Sequence, residues 1–124
     1  MRIVKREEFL AMPQGTLYCH YRPQVVGNIT IKASGPNEIG NDYCYQELNE
    51  IDVQSSEERH EKLEAMLKDS ALSVPLDAEC TGRDGCFDDS ELYLVYEMED
   101  VAKLLSVLIE SFKSYKEHVQ CKPE

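Results

Sequence analysis

Between Asp100 and Val119 the apolar residues Val101, Leu104, Leu105, Leu108, Phe112, Tyr115 and Val119 recur every three or four positions, the period of an amphipathic α-helix. Such a helix must lay its stripe on an apolar surface, so the rest of the chain has to provide one. Val107 and Ile109 widen the apolar side beyond a single stripe. The surplus implies an unusually broad core face, burial between two layers, or a homodimer contact.

The remaining sequence reads mostly as strands. Thr16 to Arg22 alternates, with Leu17, Cys19 and Tyr21 on one face and Tyr18, His20 and Arg22 on the other. A turn at Pro23-Gln24 leads into the β-branched run Val25 to Lys32, and the two segments read as an antiparallel hairpin. After a loop over residues 34–41, Asp42 to Val53 resumes an extended pattern. Val74 to Glu79 reads as an edge strand holding Pro75, Cys80 to Cys86 as a turn-rich loop, and Leu92 to Tyr96 as the clearest strand. Arg2-Ile3-Val4 adds a short one.

Two further helices are expected. Arg6 to Met12 is stopped by Pro13 and Gly15, and Ser55 to about Ser70 opens with a capping box of Ser55 and Glu58. The inner face of the second would be Leu63, Met66 and Leu67, with His60 at its margin. Strands that do not alternate regularly with helices predict the α+β class: an antiparallel sheet of four to six strands packed by a long C-terminal helix and a shorter central helix. Residues 1–119 form a single domain in this reading, with 120–124 a disordered tail.

Charge narrows the partner. The net charge is -11, and residues 35–100 hold four basic and nineteen acidic side chains while the two ends are slightly basic. Direct nucleic-acid binding needs clustered Lys and Arg, so a basic host protein or nucleoprotein complex is the expected partner. The same charge also keeps a small protein soluble. Val101 to Val119 contains Lys103, Glu110, Lys113, Lys116 and Glu117, too many charges for a membrane span. The charged opening Met1 to Glu8 is unlike a secretory signal, which gives the expectation of a cytoplasmic location.

The five cysteines, Cys19, Cys44, Cys80, Cys86 and Cys121, are odd in number and read as free thiols. Cys19 and His20 are adjacent on a strand, so they point to opposite faces and cannot form a dyad. Cys80 and Cys86 lack a second close pair, and a zinc site would require His118 and Cys121 to fold back on them. An EF-hand alignment over residues 80–91 places Cys80 and Gly82 where carboxylates are needed. No phosphate-binding glycine loop or nucleophile turn occurs. The reading is therefore a non-enzymatic protein with no catalytic residue, metal ligand or cofactor assigned. Six tyrosines, Tyr18, Tyr21, Tyr43, Tyr45, Tyr93 and Tyr96, fall on expected strands and divide between faces, so some should reach solvent as contact surface.

Arg6-Glu7-Glu8-Phe9-Leu10, Pro13-x-Gly15-Thr16 and Asn41-Asp42-Tyr43-Cys44-Tyr45-Gln46 resemble segments of small uncharacterised accessory proteins of bacteriophages and prophages. The resemblance implies a viral origin, a host-cytoplasmic location and an anti-defence role like that of some anti-CRISPR proteins, which occupy a nucleic-acid channel. Glu57, Glu61 and Glu64 on one helical ridge, with Asp84, Asp88, Asp89 and Glu91, would then imitate phosphates. Two alternatives stand beside it. One is a binder of a small nucleotide signal using Tyr18, Arg22, Lys32 and Arg83 at an oligomer interface. The other is a metal-dependent enzyme built on the carboxylate loop 84–91. The first reading requires the acidic side chains to gather into one outward field.

Overall fold

The computed structural model describes residues 1–121. The elements run β1 (Arg2–Lys5), α1 (Arg6–Leu10), β2 (Leu17–Arg22), β3 (Val25–Val26), β4 (Thr30–Lys32), β5 (Cys44–Glu47), β6 (Glu50–Ile51), α2 (Ser56–Lys68), β7 (Leu76–Asp77), β8 (Cys80–Arg83), β9 (Leu92–Val95) and α3 (Met98–Cys121). The antiparallel order is β1-β9-β2-β4-β5-β8, with β3 attached to β2, and β6 pairs separately with β7. The class is α+β as expected, and α3 carries through Gln120 and Cys121. The rest of the expected tail lies outside the described residues.

The main sheet has seven strands, one more than the expected range, for two local reasons. Residues 25–32 form two strands because the pairing with β2 shifts by one residue, from Tyr21↔Val26 to Tyr18↔Thr30, after the Gly27 N–H has bonded to the His20 carbonyl at 2.9 Å. Cys80 to Arg83, expected as loop, pairs with β5 in the register Tyr45↔Gly82. A Cβ at Gly82 would meet the Tyr45 hydroxyl at 2.6 Å, so this glycine seats an aromatic ring and makes no turn.

Strand alternation gives the sheet two unequal faces. On one, Val4, Tyr18, Tyr93 and Val95 meet Phe9 and Leu10 of α1 and Tyr43, just before β5, and this cluster is the core. Phe9 is its centre: its ring stacks on Tyr93 at 4.0 Å and meets Tyr18 and Tyr43 edge-on at 4.6 and 5.0 Å. Of the six strand tyrosines, Tyr21, Tyr45 and Tyr96 are half-buried, while these three are fully buried. Lys32 is buried beside them, its ammonium donating to the carbonyls of Met12, Ser34 and Gly35 at 2.9 to 3.0 Å.

The opposite face is barely covered. Val101 and Leu104 of α3 are half-buried, but Leu105, Leu108, Phe112 and Tyr115 are 56 to 69% exposed. Between the first turns of α3 and the sheet lies an apolar hollow of about 600 Å³ bordered by Leu17, Ile29 and Ile31. The long helix therefore leaves most of its stripe unused.

The central helix also departs from expectation, because α2 buries no residue and Leu67 of its expected inner face is 80% exposed. Its start is as expected: the Ser55 hydroxyl accepts from the Glu58 N–H at 3.2 Å, and the Glu58 carboxylate accepts from the Gln54 N–H at 2.9 Å. Losing this cap in Ser55→Ala should cost about 1 kcal/mol locally. Because α2 is not tied to the core, we expect faster amide exchange over residues 56–60 with little change in Tm.

Candidate functional site

The tyrosine-bearing face continues past the core into a polar cleft of about 470 Å³. The register aligns its floor: Tyr18 faces Thr30, and Thr30 faces Glu47, across β2, β4 and β5. His20 and Tyr45 stand on the same face two residues from Tyr18 and Glu47. Glu50, Arg59 of α2, Asp84 and Cys86 close the rim. A second hollow adjoins it, sharing His20, Asp84 and Cys86 and adding Arg6, Arg22, Asp88 and Glu91.

Beneath the rim runs a buried polar network. Arg6, only 3% exposed, donates to Asp84 and to the Tyr93 hydroxyl, each at 3.1 Å, and to the Asn41 carbonyl at 2.6 Å. Asp84 also accepts from the Tyr43 hydroxyl at 3.2 Å. Asp42 is fully enclosed and receives the Arg83 guanidinium and the Gly85 N–H. Burial acts to raise its pKa, but these hydrogen bonds prevail and hold the carboxyl below the ordinary range. Burial pushes the phenol of Tyr93 up to about 12 and that of Tyr18 higher still, so both stay protonated. The Tyr18 hydroxyl is fully buried and has no hydrogen-bond partner among the described residues.

Cations near the cleft are mostly taken. Arg59 bonds Glu50 at 2.8 Å, and this pairing holds the Glu50 carboxyl below its usual range. Arg6 and Arg83 are committed inward, and His20 Nδ1 lies 2.8 Å from Glu91. Glu47, on the floor, forms no ion pair among the described residues.

The seven carboxylates expected to act together are placed differently from one another. Asp84 is turned inward to Arg6, Asp88 accepts from the backbone and hydroxyl of Ser90, Asp89 is exposed, and Glu91 pairs with His20. Glu57, Glu61 and Glu64 are exposed and make no ion pair among the described residues. At about 100° per residue they lie on the side of α2 opposite Arg59, which faces the cleft. The ridge thus faces away from the cleft whose rim Asp84 closes.

The four residues of the ligand-pocket expectation do not converge either. Tyr18 lines the cleft and Arg22 the adjoining hollow, whereas Lys32 is enclosed by carbonyls and Arg83 is bound to Asp42. Among the described residues no three His, Cys, Asp or Glu side chains group so as to hold a metal ion, including those of loop 84–91. Cys19 and His20 do point apart: the thiol meets the Tyr96 hydroxyl at 3.2 Å on the other face. Sequence reading did not find His20, Tyr45, Glu47, Glu50 and Arg59 as a group. Only the shared face of Tyr18 and His20 was readable, because the register joining β2 to β5 is not local.

No protein family, no curated protein and no solved structure matches this chain. Among the described residues no helix is long and apolar enough to cross a membrane.

Proposed function

We propose that this chain is a non-catalytic interaction protein that captures a basic partner by taking a Lys or Arg side chain into the cleft of Tyr18, His20, Tyr45 and Glu47. The observation that carries the reading is an acidic floor with aromatic walls whose neighbouring cations are already paired. A cationic side chain entering there gains the unpaired Glu47 carboxylate and the face of Tyr45. In the setting that the phage resemblance implies, the partner is a basic host protein of a defence complex, and binding removes a cation that would otherwise hold nucleic acid. Mimicry of a duplex by α2 alone has weaker support. Its three ridge charges are spaced about 5 Å apart along the axis, whereas duplex DNA carries one per about 1.7 Å.

Calorimetric titration with an arginine-rich peptide tests this. Binding should weaken as salt rises from about 50 to about 200 mM. Glu47→Gln should weaken it by about tenfold, equivalent to 1.4 kcal/mol. Changing Glu57, Glu61 and Glu64 together to Gln should have little effect. Equal losses in the two variants, or indifference to salt, would remove the cleft as the site.

A second reading keeps the cleft and changes the occupant. Its volume lies in the range of small-molecule sites, about 300–1,000 Å³. The acidic floor then favours an amine over a nucleotide phosphate. A rise in Tm with a polyamine, absent in Glu47→Gln and absent with cyclic nucleotides, would favour this reading.

A further inference from the structure

The unused face of α3 carries an independent inference. Val101, Leu105, Leu108, Phe112, Tyr115 and Val119 follow one another at spacings of four, three, four, three and four. This is a strict heptad seam with period 3.5, the pattern of a helix that wraps against another helix. Five of the six are 52 to 69% exposed, so the chain's own sheet does not cover them.

We propose that the seam is a homodimer interface in which two α3 helices pair antiparallel, with residue numbers of facing positions adding to about 220. Val101 then meets the partner's Val119, Leu105 its Tyr115, and Leu108 its Phe112, so each aromatic ring faces a smaller aliphatic side chain. A parallel pair would set Phe112 on its copy and Tyr115 on its copy, and facing large against small packs better. The antiparallel arrangement also separates the acidic bodies. Residues 1–100 hold nine basic and twenty-one acidic side chains, and a 24-residue helix spreads the bodies by about 36 Å, several Debye lengths.

The sheet supplies the second half of the argument. Val101, Leu105 and Leu108 border the apolar hollow together with Leu17 and Ile31. A helix laid antiparallel on the seam brings its C-terminal half, with Tyr115 and Val119, to that hollow, and the two-fold axis repeats the contact. The exposed seam offers roughly 600 Å² per chain, about 1,200 Å² for the pair, the lower bound for a stable specific interface. The hollow adds to it. A lipid surface fits less well, since lipid-bound helices carry Lys and Arg on the polar face. Here Lys103, Lys113 and Lys116 are mixed with Glu110 and Glu117 on a strongly acidic chain.

Sedimentation equilibrium of the full chain under reducing conditions should give twice 14.2 kDa. Phe112→Asp should give the mass of one chain with unchanged circular dichroism, because Phe112 is 65% exposed and outside the core. A spin label carried by a noncanonical residue at position 99 should be displaced about 33 Å along the axis from its copy, whereas labels at position 110, on the side away from the seam, should have no axial displacement and be separated only across the pair, by roughly 20 Å. A monomer at every concentration would overturn the proposal. So would a short distance at both positions, or a monomer that binds mixed phosphatidylcholine and phosphatidylserine vesicles.

Discussion

Replacing Phe9 by alanine is expected to lower the free energy of unfolding by about 3–5 kcal/mol. The ring is fully buried, and Tyr18, Tyr43 and Tyr93 all pack against it at centroid distances of 4.0 to 5.0 Å. Those neighbours are rigid and polar at their tips, so they cannot collapse into the void without drawing hydroxyls into an apolar space. A domain typically has about 5–15 kcal/mol to lose, so the variant should unfold at markedly lower urea concentration. Leu67→Ala is the control. Leu67 is as apolar but 80% exposed, and its loss should leave the midpoint nearly unchanged. Comparable shifts in the two variants would mean that α2 docks on the sheet in solution.

That contrast also marks what was legible in the sequence. Periods of two and 3.6 revealed most elements, because they are properties of a single segment and need no partner. The capping pair Ser55 and Glu58, the faces of β2 and the extent of α3 all belong to that local kind. Packing was less accessible. Leu63 and Leu67 have helical spacing yet stay exposed, since spacing says that a stripe exists and not that a surface waits for it. Which tyrosines would be enclosed was equally hidden: three became the core because α1 brings a single apolar ring, Phe9, onto the sheet. β8 was hidden because Gly82, read as a turn former, makes room for Tyr45. The cleft depended on a register spanning β2 to β5, and the sequence held its members without any sign of their adjacency.

Arg6→Met is expected to be nearly as damaging as the loss of Phe9, at about 3–5 kcal/mol, through charge instead of packing. The guanidinium is enclosed and compensates Asp84, with Asp42 3.9 Å away, so its removal leaves carboxylate charge facing a poorly hydrated interior. Pairing the change with Asp84→Asn should recover part of the loss, because the two residues interact directly and their effects do not add. If the double variant is as unstable as the two single losses combined, the pair is not coupled and Arg6 acts by packing alone. Asp42 of the same network should add to the acid sensitivity of the fold. Asp42 has a folded pKa below the unfolded value, which is about 3.9. Its contribution is therefore fully present above the unfolded pKa and is lost as pH falls through the folded one. Thermal unfolding followed from about pH 6 to about pH 3 should show a fall in Tm that is shallower in Asp42→Asn, which starts lower because Arg83 has lost its charge partner. An identical slope in both proteins would move the acid sensitivity to the surface carboxylates and leave Asp42 with a purely geometric role.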